Sequence, residues 1–130
     1  MSYNNCFVCG KNNPKGLKLD IKKVGDTATA EFILDNDYEG YPNIIHGGIL
    51  ASILDDVMAN TKFLEGFIVY TIELNIKYLK YCKVREPLIA VGYPVSIVHN
   101  ILITKGEIKD PEGIIRVEGN GKYLIKGAYK

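Results

Sequence analysis

The chain predicts a single α+β domain in which one helix lies on an antiparallel sheet. Only the stretch from Gly48 to about Phe63 carries helical periodicity, and alternating apolar and polar runs precede and follow it. One helix cannot supply the crossovers that a parallel sheet needs, so the strands are expected to pair antiparallel. At 130 residues, 47% of them hydrophobic, the chain has the length and apolar content for one core.

Residues 1–16 read as a looped lead-in, rich in Asn and Gly and closed by Pro14 and Gly16, ahead of a domain spanning 17–130. Leu17 to Lys23 and Thr27 to Ile33 alternate as two strands around a turn at Gly25-Asp26. Asp35 to Ile45, with Asn36, Asp37, Gly40, Pro42 and Asn43, reads as a loop. The helix then buries a broad stripe of Ile49, Leu50, Ile53, Leu54, Val57 and Met58. Its other side carries Gly48, Ala51, Ser52, Asp55 and Ala59, small enough for a second surface to approach. Asp55 points to the middle of that side, and Asp56 toward the opposite margin of the stripe.

After Gly66 the period becomes two. Tyr70, Ile72, Leu74, Ile76 and Tyr78 are expected on one face of a long strand, with Thr71, Glu73, Asn75 and Lys77 on the other. Leu88–Val98 and Ile101–Ile108 follow as strands, with a bulge or an edge at Pro94. Asp110-Pro111-Glu112-Gly113 is a turn, and a last strand runs through Ile125. Apolar and mixed residues on the remaining sheet face predict a dimer or larger assembly.

Sixteen Lys and Arg against fifteen Asp and Glu leave a net charge of +1, which argues against a nucleic-acid partner. No apolar run precedes Cys6, and none reaches the roughly 18 residues of a membrane span, so no membrane partner and a cytoplasmic location are expected. Three cysteines, an odd number, suit a reducing compartment.

The chemistry concentrates at His46-Gly47-Gly48 and the helix that follows. Amide hydrogens of a first helical turn are electropositive and can receive an oxyanion, and glycine lets a ligand come close to the backbone. The bland alternative is a tight helix entry with a loop histidine and two solvated carboxylates. Asp55 lies about 12 Å along the axis from the helix start, so it can join an oxyanion site there only with a long substrate or a second subunit. Asp55 and Asp56 diverge too far to share a proton. Lys77, Lys80, Lys83 and Arg85, with Tyr78 and Tyr81 between them, read either as a surface strand or as a landing place for the phosphates of a nucleotide-bearing substrate.

Cys6-Phe7-Val8-Cys9-Gly10 has the spacing of half a zinc knuckle. A structural zinc wants four ligands, and the other candidates are Cys82, His46 and His99, with no second CxxC. The two cysteines are therefore expected to pack near the start of the fold, with no metal and no cofactor. A zinc-containing interaction protein built on them is the minor alternative.

The run from Gly40 through His46-Gly47-Gly48 to Asp55-Asp56 resembles the signature of hotdog-fold acyl-CoA thioesterases of the PaaI-like superfamily. Cys6–Gly10 through Gly16-Leu17 is similar to the N-terminal segment of one branch of that group, and Thr71–Leu79 to its long strand after the helix. The resemblance implies a five- or six-stranded antiparallel sheet wrapped around a long helix, with active sites at a homodimer interface and dimers often pairing into tetramers. It implies Asp55 as general base or nucleophile, the Gly48 amide as oxyanion donor, His46 as its supporting residue and Thr71 beside the water. Gly47 joins them as a substrate-binding position. Gly40 stands where several members carry Asn or Gln; Glu39 and Asn43 are the residues that would stand in for it, and Lys77 and Lys80 those that would meet CoA phosphates. The function implied is hydrolysis of an acyl-CoA or related thioester. The alternative, which Gly40 favours, is a non-catalytic hotdog module that binds a CoA thioester.

Overall fold

Helix α1 (Gly47–Phe63) buries Leu50, Ile53, Leu54, Val57 and Met58 against one face of a curved six-stranded sheet. This is the stripe its sequence predicts, with Ile49 at its half-buried margin. The computed structural model describes residues 3–129. The strands are β1 (Lys22–Val24), β2 (Thr27–Phe32), β3 (Phe67–Tyr78), β4 (Leu88–Val98), β5 (Ile101–Lys109) and β6 (Ile115–Ala128). Their order is β1-β2-β4-β5-β6-β3, with every neighbouring pair antiparallel. This is the α+β hotdog arrangement, with one long helix packed against the sheet.

The helix comes close because the sheet beneath it lacks side chains along one row. Gly92, Gly106 and Gly119 are register partners across β4, β5 and β6. A Cβ at Gly92 would lie 2.9 Å from Met58 Cα, and one at Gly106 would lie 3.0 Å from Met58 Cγ. Only glycine permits that approach, which explains why these glycines stand inside strands.

Three local departures from the sequence expectation have physical causes. Leu17–Ile21 is not strand: Lys18 takes a positive φ of 53°, and Leu17 and Leu19 donate instead to the carbonyls of Phe7 and Val8 at 2.8 and 2.9 Å. The lead-in is thus stitched to the chain that follows it. Within the predicted loop, Asn36–Tyr38 forms one 3₁₀ turn capped by Asp35. In β3, the pairing with β6 slips between Thr71 and Glu73, and the slip reverses which side chains face the helix. Thr71 therefore faces α1 together with Leu74 and Ile76, while Tyr70 and Ile72 are 57% and 53% exposed. The expected single face from Tyr70 to Tyr78 is broken at that bulge. A further bulge follows Pro94, where the sequence signals one.

Among the described residues, no helix is long and apolar enough to cross a membrane.

Candidate active site

The start of α1 is shaped by the residues that precede it. His46 is the N-cap, and its Nδ1 accepts the Gly48 N–H at 2.9 Å. An accepting Nδ1 carries no proton, so the ring's own N–H is on Nε2. The Gly48 amide, expected to face a substrate oxygen, is thus engaged by the histidine. The Gly47 N–H, one residue earlier, has no hydrogen-bond partner among the described residues. Tyr78, from the far end of β3, donates its hydroxyl to the Gly47 carbonyl at 2.7 Å. Its ring lies 3.3 Å from where a Cβ at Gly47 would stand, so glycine lets the tyrosine lie over the helix entry. Burial pushes the Tyr78 phenol above its ordinary range, which keeps it a donor.

A cavity of about 430 Å³ opens beside this entry, lined in part by Tyr38, Glu39, His46, Gly48 and Ser52. Glu39 reaches it through its bridge to Ile45, and its Oε2 accepts the Asn43 N–H at 2.8 Å and Asn36 Nδ2 at 2.9 Å. Those bonds hold the Glu39 carboxyl below the usual range, the Asn43 N–H contributing most. Asn43 sits at a φ of 65°, and its Oδ1 accepts from Asn36 and from Arg85. Glu39 and Asn43 therefore spend much of their polar capacity on building the loop. A Cβ at Gly40 would stand 3.4 Å from His46 Cα and Cδ2, an ordinary contact. The position borders the histidine and presents no side chain to it.

Asp55 is held from the sheet. Its Oδ1 accepts the Thr71 hydroxyl from β3 and the Tyr123 hydroxyl from β6, both at 2.9 Å. Tyr123 also lies 3.0 Å from the Asp55 main-chain oxygen, so one phenol spans carboxylate and backbone. Oδ2 has no hydrogen-bond partner among the described residues. Tyr123 is fully buried. Burial first, then the Asp55 charge, push its phenol far above the ordinary range, so it remains a protonated donor. Its ring fits because β6 has Gly121 two residues earlier, where a Cβ would come within 2.6 Å of it.

The fold thus brings Asp55 to Thr71 and adds Tyr123, which the sequence alone does not single out, while Tyr78, read from the sequence as part of a strand face within a basic run, lies over the helix entry. Asp55 is not among the residues lining the helix-entry cavity. Lys77 and Lys80 are exposed and have no ion-pair partner among the described residues. Asp56 turns the other way, beneath the lead-in.

A long helix on a curved antiparallel sheet, carrying a carboxylate held by two hydroxyls, defines a protein of the hotdog class. The sequence matches the thioesterase superfamily over residues 42–116, and the chain belongs to that family, as a hotdog-fold, PaaI-like member. Acyl-coenzyme A thioesterase THEM5 of Mus musculus is 42% identical over 40 residues, a match covering 31% of this chain and only 16% of that protein. Among solved structures, protein RHA08564, a thioesterase superfamily protein, aligns with a TM-score of 0.87 at 24% identity, covering 93% of this chain and 60% of that one. A hypothetical thioesterase from Streptococcus pneumoniae TIGR4, crystallised with coenzyme A, aligns with a TM-score of 0.80 at 21% identity, covering 86% of this chain and 88% of that one. This kinship shows the family and the fold.

Proposed function

We propose that this chain hydrolyses an acyl-CoA or a related acyl thioester to the free acid and thiol. The observation that carries the reading is Asp55, whose Oδ1 is fixed by Thr71 and Tyr123 while Oδ2 stays unclaimed. A carboxylate anchored through one oxygen presents the other in a defined direction, as a general base or nucleophile requires. Oδ2 takes a proton from water as the water oxygen adds to the thioester carbonyl. The resulting oxyanion is received at the helix entry by the free Gly47 N–H, with the Gly48 N–H, shared with His46 Nδ1, beside it. Collapse breaks the carbon–sulfur bond, and the departing thiolate recovers the proton from Asp55. Direct attack by Oδ2, through an anhydride, uses the same groups.

Asp55 and the Gly47 amide of one chain stand about 12 Å apart along the helix, so the reading includes a homodimer in which each site takes its carboxylate from the facing subunit. Edge strand β3, 12 residues long with Tyr70 and Ile72 exposed, is the surface that such a pairing would cover. Glu39, which lines the helix-entry cavity, and Asn43, which it holds, stand in for the side chain that Gly40 lacks, and Lys77 and Lys80 meet the CoA phosphates. Two dimers pairing into a tetramer and a cytoplasmic location belong to the same reading, the latter supported by three free thiols.

The test is thiol release from short, long and aromatic acyl-CoAs, run beside Asp55→Asn. The variant is expected to lose about a hundredfold to ten-thousandfold in turnover while keeping its assembly. Full turnover in the variant would sink this mechanism. Gly40, which gives His46 no neighbouring side chain, favours a second reading as a CoA-thioester binding module. Saturable binding with no thiol release from any member of the panel would establish that one.

A further inference from the structure

Cys6, Cys9 and Asp56 converge although about fifty residues separate the cysteines from the carboxylate. Both Sγ atoms and a carboxylate oxygen of Asp56 lie within 4.8 Å of one another, with Cys6 Sγ 3.6 Å from Asp56 Oδ1. Ligand atoms on a tetrahedral zinc, at bond lengths of about 2.0–2.3 Å, are about 3.3–3.8 Å apart. The cluster therefore stands within a side-chain adjustment of that geometry.

Two further observations suit a cation at this cluster. Asp56 Oδ2 is closed off from solvent and lacks any hydrogen-bond partner among the described residues. Burial raises the Asp56 carboxyl above its usual range, and an oxygen left so is relieved either by a proton or by a cation that the neighbouring thiols help to hold. The cysteine-bearing loop is also preformed. Gly10 N–H closes a turn onto the Cys6 carbonyl at 2.9 Å, aiming both thiols at the helix. A Cβ at Gly10 would fall 2.3 Å from Cys6 N, so only glycine permits this turn.

We infer that Cys6, Cys9 and Asp56 bind a divalent metal of zinc-like preference, which ties the N-terminal turn to helix α1. Two thiolates and a carboxylate suit zinc, whereas calcium and magnesium favour all-oxygen sets. The cysteines bind as thiolates and release their protons. The fourth position falls to a water from the adjoining cavity of about 340 Å³, which Tyr3 and Asn60 help to line. Cys82 belongs elsewhere: it is fully buried, and burial pushes its thiol up to about 11.

The test uses the full chain, purified reduced and without added metal, and titrates it with Co²⁺. A thiolate-to-cobalt charge-transfer band saturating at one equivalent is expected, bleached by Zn²⁺. Cys6 and Cys9 then resist alkylation, while Cys82 is inert with or without metal. Cys9→Ser abolishes the band, and Asp56→Asn keeps it but weakens binding by about tenfold or more. Should either variant fail to fold, the wild-type titration and alkylation decide alone. Absence of the band, with Cys6 and Cys9 alkylated equally fast under excess Zn²⁺, overturns the site. So does recovery of the pair as a disulfide from protein kept in a glutathione-reducing buffer.

Discussion

Replacing Tyr123 by Phe removes one oxygen atom from a fully buried ring and leaves its shape intact. That oxygen stands 2.9 Å from Asp55 Oδ1 and 3.0 Å from the Asp55 main-chain oxygen. A hydrogen bond to a charged acceptor contributes about 1.5–3 kcal/mol. Were all of it expressed in the transition state, at about 1.4 kcal/mol per factor of ten, kcat would fall about tenfold to a hundredfold. Thr71 still holds Oδ1 in this variant, so the fall should be smaller than for Asp55→Asn. KM should change little, because the phenol is buried away from any substrate. Folding should lose only about 1 kcal/mol, since the main-chain oxygen keeps its place in the helix ladder. The assay is steady-state thiol release alongside a thermal melt. Wild-type kcat in a folded Tyr123→Phe protein would refute the claim that this phenol orients the carboxylate. Thr71→Val extends the test: if both hydroxyls hold the same oxygen, the double variant should approach Asp55→Asn.

Gly92→Ala would place a methyl 2.9 Å from Met58 Cα, an atom of the helix backbone that cannot rotate aside, so a loss of about 1–3 kcal/mol is expected in urea unfolding. An unchanged midpoint would show that the helix does not depend on the glycine row. Asp110 tests the hairpin between β5 and β6. Burial alone would raise its carboxyl, but the Ile114 N–H, the Arg116 guanidinium and the Glu112 N–H outweigh it and hold it below the usual range. A carboxyl lowered on folding contributes stability that is complete above its unfolded pKa of about 3.9 and is lost as pH falls through the folded value. Asp110→Asn should therefore melt lower at neutral pH, and its melting temperature should depend less on pH in acid. Parallel melting-against-pH curves for the two proteins would contradict this.

What the sequence made legible follows from how local each feature is. His46, both glycines and Asp55 lie within ten residues on one helix and its entry, so periodicity alone places them on one element. Thr71 illustrates the opposite case. Strict alternation puts it across the strand from Leu74 and Ile76, and a one-residue bulge, carrying no sequence marker, returns it to their side. Tyr123 reads in isolation as a core aromatic of a strand, and its link to Asp55 spans 68 residues. Its one local signal is Gly121, a side-chain vacancy beside a large ring. Asp56 carries no sequence mark as a partner of Cys6 and Cys9, because half a zinc knuckle points to further cysteine and histidine, and carboxylates are too common along a chain for one of them to stand out.

The sheet, more than the helix, determines what Asp55 can do. An isolated helix would present Asp55 and Asp56 alike, as neighbours on a solvated surface. The row Gly92, Gly106 and Gly119 lowers the helix onto the sheet, and only at that depth does the Tyr123 hydroxyl reach both the backbone and the carboxylate of Asp55. The bulge in β3 then turns Thr71 toward the same oxygen. Asp56, one residue on, is rotated about 100° away from these donors and meets the lead-in instead. Two adjacent, chemically identical carboxylates thus receive different surroundings, one ringed by hydroxyls with an oxygen to spare and one sealed against thiols. A substitution that lifts the helix, as Gly92→Ala should, would blur that difference, and its effect on turnover should exceed its effect on stability.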